Sequence, residues 1–363
     1  MATFPRTAPE ATPDEVRETA PGIAVHPHPE DRCDRLRDSH GRIISDLRVS
    51  ITDRCNYKCV YCRTGEVGAQ YAELTTAEYL RLIGVFVSLG IEKVRLTGGE
   101  PLLRRDLPTI VRQLSALRTV SGGRLDIAVT TNGHLLDDLA RPLREAGLSR
   151  VTVSMDAVDQ ATFERITRIP GSFPAVVRGI RAARLAGLGP VKINCVLMRG
   201  FNDDQVEAFA AFAREENVIV RFIEFMPLEE GRLWNPAMVV PLTEIVERIE
   251  RVHPLRLLAA NTAGETARRY GFADGKGEIG IIAPVTQAFC GACSRVRLTS
   301  DGKIRTCLFS HREHDLHGLA RRDASDDELR SFIVEAVNTK EARHHIGEPG
   351  FLKPSRSMVH IGG

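Results

Sequence analysis

From residue 42 onward, short apolar runs alternate with longer stretches whose apolar residues recur every three or four positions. The short runs predict strands at 47–52, 93–97, 126–130, 150–155, 191–197 and 219–225. The stretches between them predict helices. Over 76–88, Leu80, Ile83 and Val87 share one face. The segment 135–146 stops at Gly147. The segment 174–186 begins after Ser172, carries Pro174 in its first turn and stops at Gly187, which are start and stop signals for a helix. Six β–α steps imply parallel strands with right-handed crossovers. A doubly wound open sheet and a complete or partial (β/α) barrel both satisfy this periodicity.

Polar residues gather where these strands end. Cys55, Cys59 and Cys62 follow the first, Thr97-Gly98-Gly99-Glu100-Pro101 the second and Thr130-Thr131-Asn132-Gly133 the third. Ser154-Met155-Asp156 ends the fourth and Glu224-Phe225-Met226-Pro227 the sixth. Such groups converge best at one barrel mouth. Past Pro227 the rhythm changes. A helix at 243–251 precedes short strands at 256–258, 268–270, 278–282, 295–299 and 304–308, with a hairpin turn at Ser300-Asp301-Gly302-Lys303 and a last helix at 327–337. Residues 1–40 lack apolar periodicity and are expected to form a disordered extension. The expected division is therefore 1–40, a barrel over 41–230, and a β-rich region over 231–363.

The 363 residues carry a net charge of only +2, so no global field recruits nucleic acid or a membrane. No apolar run is long enough to span a bilayer. The N-terminal stretch lacks the apolar core of a secretory signal, and Glu10, Asp14, Glu15 and Glu18 argue against a transit peptide. The expected compartment is the cytoplasm, where clustered cysteines point to metal binding rather than disulfides.

Two cysteine clusters stand out among the eight cysteines. Cys55, Cys59 and Cys62 form a C-x3-C-x2-C pattern. Three thiolates grip one face of an iron–sulfur cluster but leave one iron open, because cubane clusters usually take four Cys. No His lies near this triad to complete a zinc site. Cys290, Cys293 and Cys307 form a second triad, C-x2-C-x13-C, where His311 or His314 could supply the fourth ligand of a structural Cys3His zinc site. Of the remaining two, Cys195 reads as a core thiol and Cys33 lies in the extension. Gly98 and Gly99 permit close approach to the backbone. Arg48 and Arg95 interrupt apolar strands, where a charge is costly unless paired. With Lys192, Arg295 and Arg297 they suggest an anionic substrate such as a nucleotide triphosphate, held without a P-loop, since no G-x-x-x-x-G-K-[ST] run is present.

The first triad with Tyr61, followed by Gly98-Gly99-Glu100-Pro101, resembles the radical S-adenosylmethionine superfamily. The second triad, Arg295-Val296-Arg297 and the closing Gly362-Gly363 narrow the resemblance to its GTP-cyclising branch in molybdenum cofactor biosynthesis, over residues 42–363. The resemblance implies a partial (β/α)6 TIM-like barrel with a C-terminal β-rich extension. It implies two [4Fe–4S] clusters, one on Cys55, Cys59 and Cys62 and one on Cys290, Cys293 and Cys307. It implies S-adenosylmethionine beside Tyr61, Gly99, Ser154 and Met226, and GTP contacts from Arg48, Arg95, Thr130, Lys192, Arg295, Val296 and Arg297. Arg295, Arg297, Gly362 and Gly363 would serve catalysis. The implied reaction begins with a 5′-deoxyadenosyl radical taking the 3′ hydrogen of GTP and ends at 3′,8-cyclo-7,8-dihydro-GTP. The implied partners are a flavodoxin- or ferredoxin-type reductant, a downstream cyclic pyranopterin monophosphate synthase and a second copy in a homodimer. A two-cluster peptide maturase is the rival reading, although such enzymes usually carry more C-terminal cysteines.

Overall fold

The computed structural model describes residues 35–62, 71–229 and 233–362. Six strands, β1 (Asp46–Ser50), β2 (Lys93–Thr97), β3 (Asp126–Thr131), β4 (Arg150–Ser154), β5 (Lys192–Leu197) and β6 (Ile219–Glu224), stand side by side in chain order, each parallel to the next. The chain returns between them through α1 (Thr76–Ser88), α2 (Leu107–Ala116), α3 (Leu136–Glu145), α4 (Gln160–Thr167), α5 (Ser172–Leu185) and α6 (Val206–Glu215). This is the partial (β/α)6 barrel.

Local chemistry sets the helix ends. Thr75 and Glu78 form a capping box at the start of α1. The buried stripe of α1 runs through Tyr79, Leu82, Ile83 and Phe86, while Leu80, expected on it, is only half-buried. Gly171, in a left-handed conformation (φ 72°), precedes α5, so Ser172 is its first helical residue rather than its cap. The Ser172 hydroxyl instead donates to the Ile169 carbonyl at 2.7 Å.

The C-terminal third adds α7 (Leu242–Glu250), β7 (Leu255–Leu258), β8 (Arg268–Phe272), β9 (Glu278–Ile282), β10 (Arg295–Leu298), β11 (Lys303–Arg305), β12 (His314–Asp315), α8 (Leu316–Ala320), α9 (Asp326–Asn338) and α10 (Met358–Ile361). Its strands join the barrel sheet instead of forming a separate one. β10 lies parallel to β1, and β9 lies parallel to β6. The sheet order is β12-β11-β10-β1-β2-β3-β4-β5-β6-β9-β8-β7, so the C-terminal segment extends both edges of the barrel. The expected strand at 304–308 ends at Arg305, leaving Cys307 beyond it.

Residues 35–40, expected in the extension, are packed onto the body. Leu36 is buried, its N–H donates to the Leu89 carbonyl at 2.8 Å, and Arg37 bridges to Ile43. Residues 1–34, with Cys33, lie outside the described residues. Among the described residues no helix is long and apolar enough to cross a membrane.

Candidate active site

Beyond β1 the chain turns over the strand ends in the loop that carries Cys55, Cys59 and Cys62. Backbone bonds strap this loop to its neighbour: the Lys58 and Val60 N–H groups donate to the Thr167 and Ile166 carbonyls at the end of α4, at 3.1 and 3.0 Å. Val60 and Tyr61 pack against Ile166 and Phe225. The Tyr61 hydroxyl donates to one oxygen of Asp156 at 2.6 Å, and the other oxygen accepts from the Val196 N–H at 2.8 Å. Burial raises the Asp156 carboxyl to about 6. The three cysteines are half-buried. Burial pushes the Cys59 thiol well up, and Cys62, Asp156 and Cys55 push the same way. Three sulfurs that repel as thiolates suit a group bringing positive iron among them.

The Gly98-Gly99 turn braces that loop. Gly98 has φ 139°, and a Cβ added to it would fall on the Thr52 carbonyl oxygen. A Cβ on Gly99 would fall on the Arg54 carbonyl oxygen. The Gly99 N–H donates to Thr52 at 2.8 Å and the Glu100 N–H to Arg54 at 2.7 Å. Glu100 is fully buried and accepts from the N–H groups of Leu102 (2.9 Å) and Asn132 (2.6 Å) and from the Thr131 hydroxyl (2.7 Å). Burial outweighs these donors and raises its carboxyl to about 7.

The second triad is closed by the β10–β11 hairpin and clamped by residues from distant segments. Cys290 and Cys293 bracket a 3-10 turn that leads into β10, and the hairpin carries Cys307 back beside them. Lys340 donates to the Arg295 carbonyl at 3.0 Å and to the Thr306 carbonyl. Arg42 donates to the carbonyls of Cys290 (2.9 Å), Ala342 (2.8 Å) and Glu341 (2.7 Å), and pairs with Asp38 at 2.6 Å. Burial opposes ionisation of Cys293, but Arg295 and Lys340 prevail and bring the thiol down to about 7. His311 and His314 face elsewhere: their Nε2 atoms contact the Leu352 carbonyl (3.0 Å) and the Thr339 hydroxyl (3.1 Å). Neither completes a Cys3His set. Among the described residues no three His, Cys, Asp or Glu side chains are grouped as around a single ion.

A cavity of about 220 Å³ opens at the barrel mouth, and all three cysteines of the second triad line it. Tyr61, Ser154 and Met226 line it too, from the side of the first triad. The interior contributes Arg48, Arg95, Thr130, Arg221, Arg295 and Arg297. Strand register places Arg48 level with both Arg95 and Arg297. One nitrogen of Arg95 donates to the hydroxyls of Thr130 (3.1 Å) and Thr152 (3.2 Å). The Nε atoms of Arg48, Arg95, Arg221 and Arg295 are buried without a hydrogen-bond partner among the described residues. Burial, then Arg297, Arg295 and Arg95, pushes Arg48 well below its ordinary range. Burial, then Arg221 and Arg150, brings Lys192 down to about 8. Cations crowded this way favour a polyanionic ligand.

Not every expected residue reaches the cavity. Lys192, at the start of β5, lies outside its wall, as does Gly99. Val296 points to the opposite face of β10 and is buried in the core, because alternation along the strand separates it from Arg295 and Arg297. Gly362 adopts φ 69°, where a Cβ would lie 2.8 Å from the Ser50 hydroxyl and 2.9 Å from a Thr97 methyl. Arg297 holds this tail through the Ile361 (3.2 Å) and Gly362 carbonyls. Gly363 lies outside the described residues. Cys195 is fully buried in the core, as expected. Arg221, Asn194, Lys340 and His344 line the cavity without having been singled out from sequence, whereas Asp156 belongs to a strand-end group expected at the mouth. For Arg221 the signal was present: it interrupts Val220 and Phe222 as Arg48 interrupts Leu47 and Val49.

Residues 49–213 match the radical SAM superfamily model, and residues 218–346 match the model described as Molybdenum Cofactor Synthesis C. A curated relative from Acidothermus cellulolyticus, named GTP 3′,8-cyclase, is 45% identical over 309 residues, covering 83% of this chain and 84% of that protein. A relative of the same name from Moorella thermoacetica is 42% identical over 331 residues, covering 90% of this chain and 100% of its own length. Among solved structures, Streptococcus suis SuiB bound to S-adenosylmethionine superposes with a TM-score of 0.55 at 13% identity, covering 80% of this chain and 69% of that one. This last likeness is one of fold.

Proposed function

Because the chain belongs to the GTP 3′,8-cyclase family, within the radical SAM superfamily, we propose that its cationic cavity receives GTP with the guanine toward Cys290, Cys293 and Cys307. The activity is the radical cyclisation of GTP to 3′,8-cyclo-7,8-dihydro-GTP in molybdenum cofactor synthesis. The observation that carries the site assignment is one cavity lined both by the second triad and by the buried arginines of the barrel interior.

Cys55, Cys59 and Cys62 would hold a [4Fe–4S] cluster, and Cys290, Cys293 and Cys307 a second one. When bound, the first cluster and S-adenosylmethionine supply the 5′-deoxyadenosyl radical that takes a hydrogen from the substrate. Tyr61, Ser154 and Met226 face the cavity where S-adenosylmethionine would meet GTP, and Asp156 fixes the Tyr61 ring. Gly99 serves that site by seating the cysteine loop. Arg48 and Arg95, joined by Arg221, neutralise the triphosphate, with Lys192 adding positive charge from behind the cavity wall, and Thr130 orients Arg95. Arg295 and Arg297 face the sugar and base, while the backbone of Val296 sets their spacing. Arg297 also anchors the tail through the Ile361 and Gly362 carbonyls, and the glycine pair that closes the chain would serve catalysis from there. We place the reaction in the cytoplasm, with a flavodoxin- or ferredoxin-type reductant, a cyclic pyranopterin monophosphate synthase as recipient of the product, and a homodimer as the working form.

The test is anaerobic reconstitution with iron and sulfide, followed by reductant, S-adenosylmethionine and GTP. The expected result is 5′-deoxyadenosine together with a cyclised GTP product. Cofactor cleavage indifferent to GTP would overturn the reading, as would a colourless protein that binds zinc.

A further inference from the structure

His344 lines the cavity with the second triad, and its Nε2 is buried without a hydrogen-bond partner among the described residues. Its ring packs against Phe309 at 5.4 Å between centroids. Its other nitrogen is committed: the Ile346 N–H donates to Nδ1 at 3.4 Å. A backbone N–H donates only to a lone pair, so Nδ1 carries no proton. In neutral imidazole the proton then resides on Nε2. The cavity therefore meets an N–H donor at this point, not a lone pair. The same tautomer argues against His344 as an iron ligand, since coordination through Nε2 would move the proton to Nδ1, facing the Ile346 N–H.

We propose that His344 is a specificity-determining residue that donates a hydrogen bond from Nε2 to the 6-oxo group of the bound guanine. The inference rests on the reading of the cavity as a GTP site. A 6-oxo purine offers an acceptor at this position, whereas adenine offers a 6-amino donor. Two donors facing each other leave the buried Nε2–H unpaired, and an unpaired buried donor is a strong basis for rejection. The residue thus selects guanine nucleotides beside the arginines, which bind any nucleoside triphosphate alike.

The test measures equilibrium binding of GTP, ITP and ATP to the full chain carrying both clusters, without reductant or S-adenosylmethionine. His344→Ala is expected to weaken GTP and ITP by roughly tenfold or more while leaving ATP within about twofold. Its iron content and visible absorption should match wild type. His344→Gln, whose amide can still donate, should restore most of the preference and guards against a folding defect in the alanine variant. Equal losses for GTP and ATP, or unchanged GTP binding, would overturn the assignment. Loss of iron from the second site would overturn it in favour of ligation. A wild-type protein with no preference for GTP over ATP would overturn the GTP reading itself, and the inference with it.

Discussion

The two cysteine triads are built in opposite ways. The first is one short loop, strapped by backbone hydrogen bonds and held at Tyr61 by the buried carboxyl of Asp156, while the buried carboxyl of Glu100 ties the turn that adjoins it to Thr131 and Asn132. Burial, and after it Cys62, Asp156 and Cys55, raise the Cys59 thiol. The second is closed by a hairpin and braced by cations, Arg42 and Lys340 from remote segments and Arg295 from β10, which hold carbonyls around it or its sulfur. There the Cys293 thiol is brought down to about 7. A shared donor set therefore does not imply a shared environment. The acid-braced triad suits a radical source seated on a rigid turn, and the cation-braced triad lines the cavity proposed for the anionic substrate.

The largest expected effect is that of Cys59→Ser, which should abolish 5′-deoxyadenosine formation while the second cluster's spectroscopic signal persists. Loss of both signals would break the claim that the triads are independent. Next, Cys307→Ser should abolish GTP cyclisation while S-adenosylmethionine cleavage continues, as measured by product chromatography.

A smaller effect concerns the acid brace. The Glu100 carboxyl is raised from 4.5 to about 7, so between those values the folded state keeps a proton that the unfolded state has lost. Its contribution to stability is present below about 4.5 and is lost as pH rises through 7. Glu100→Gln does not titrate. The stability of wild type relative to this variant should therefore fall across that window, by about 3 kcal/mol at most. Denaturant midpoints of the metal-free proteins at several pH values would check it, and a flat difference would remove Glu100 as an acid brace.

The smallest effect concerns the cation brace. Lys340→Met leaves the Arg295 and Thr306 carbonyls short of a donor and should cost about 2 kcal/mol. In the metal-free protein, the pH midpoint for Cys293 alkylation should rise, because Lys340 is one of the cations lowering it. An unchanged midpoint would show that Arg295 alone sets the contrast between the triads.

Sequence reading succeeds where the information is local. Short apolar runs locate β1 to β6 within a residue or two, and cysteine spacing identifies both triads, because neighbouring residues decide these features. Arg221 was equally legible by alternation. What escaped depends on contacts between distant segments. Nothing near Arg42 or Lys340 signals that they clamp the second triad, since their partners are carbonyls contributed by remote residues. The braces at Glu100 and Asp156 depend on burial, which is set by the assembled barrel. Val296 was grouped with its neighbours by motif, while the pleat sends it to the core. Ser172 resembled a cap, yet the turn at Gly171 came first. The orientation of His344 follows from one bond to Ile346, which composition does not show.

The placement of β9 and β10 on opposite edges of the barrel sheet also governs how the molecule matures. A nascent chain that has reached only β6 has made six parallel strands, yet β1 and β6 still present open edges. β1 waits for Val296 to meet Leu47, a pairing across most of the chain. Nonlocal pairing of this kind is slow, and exposed edges invite association with other chains. The interval between synthesis of β6 and synthesis of β10 is thus when this protein is most vulnerable to aggregation, and where a chaperone would have the greatest effect on yield.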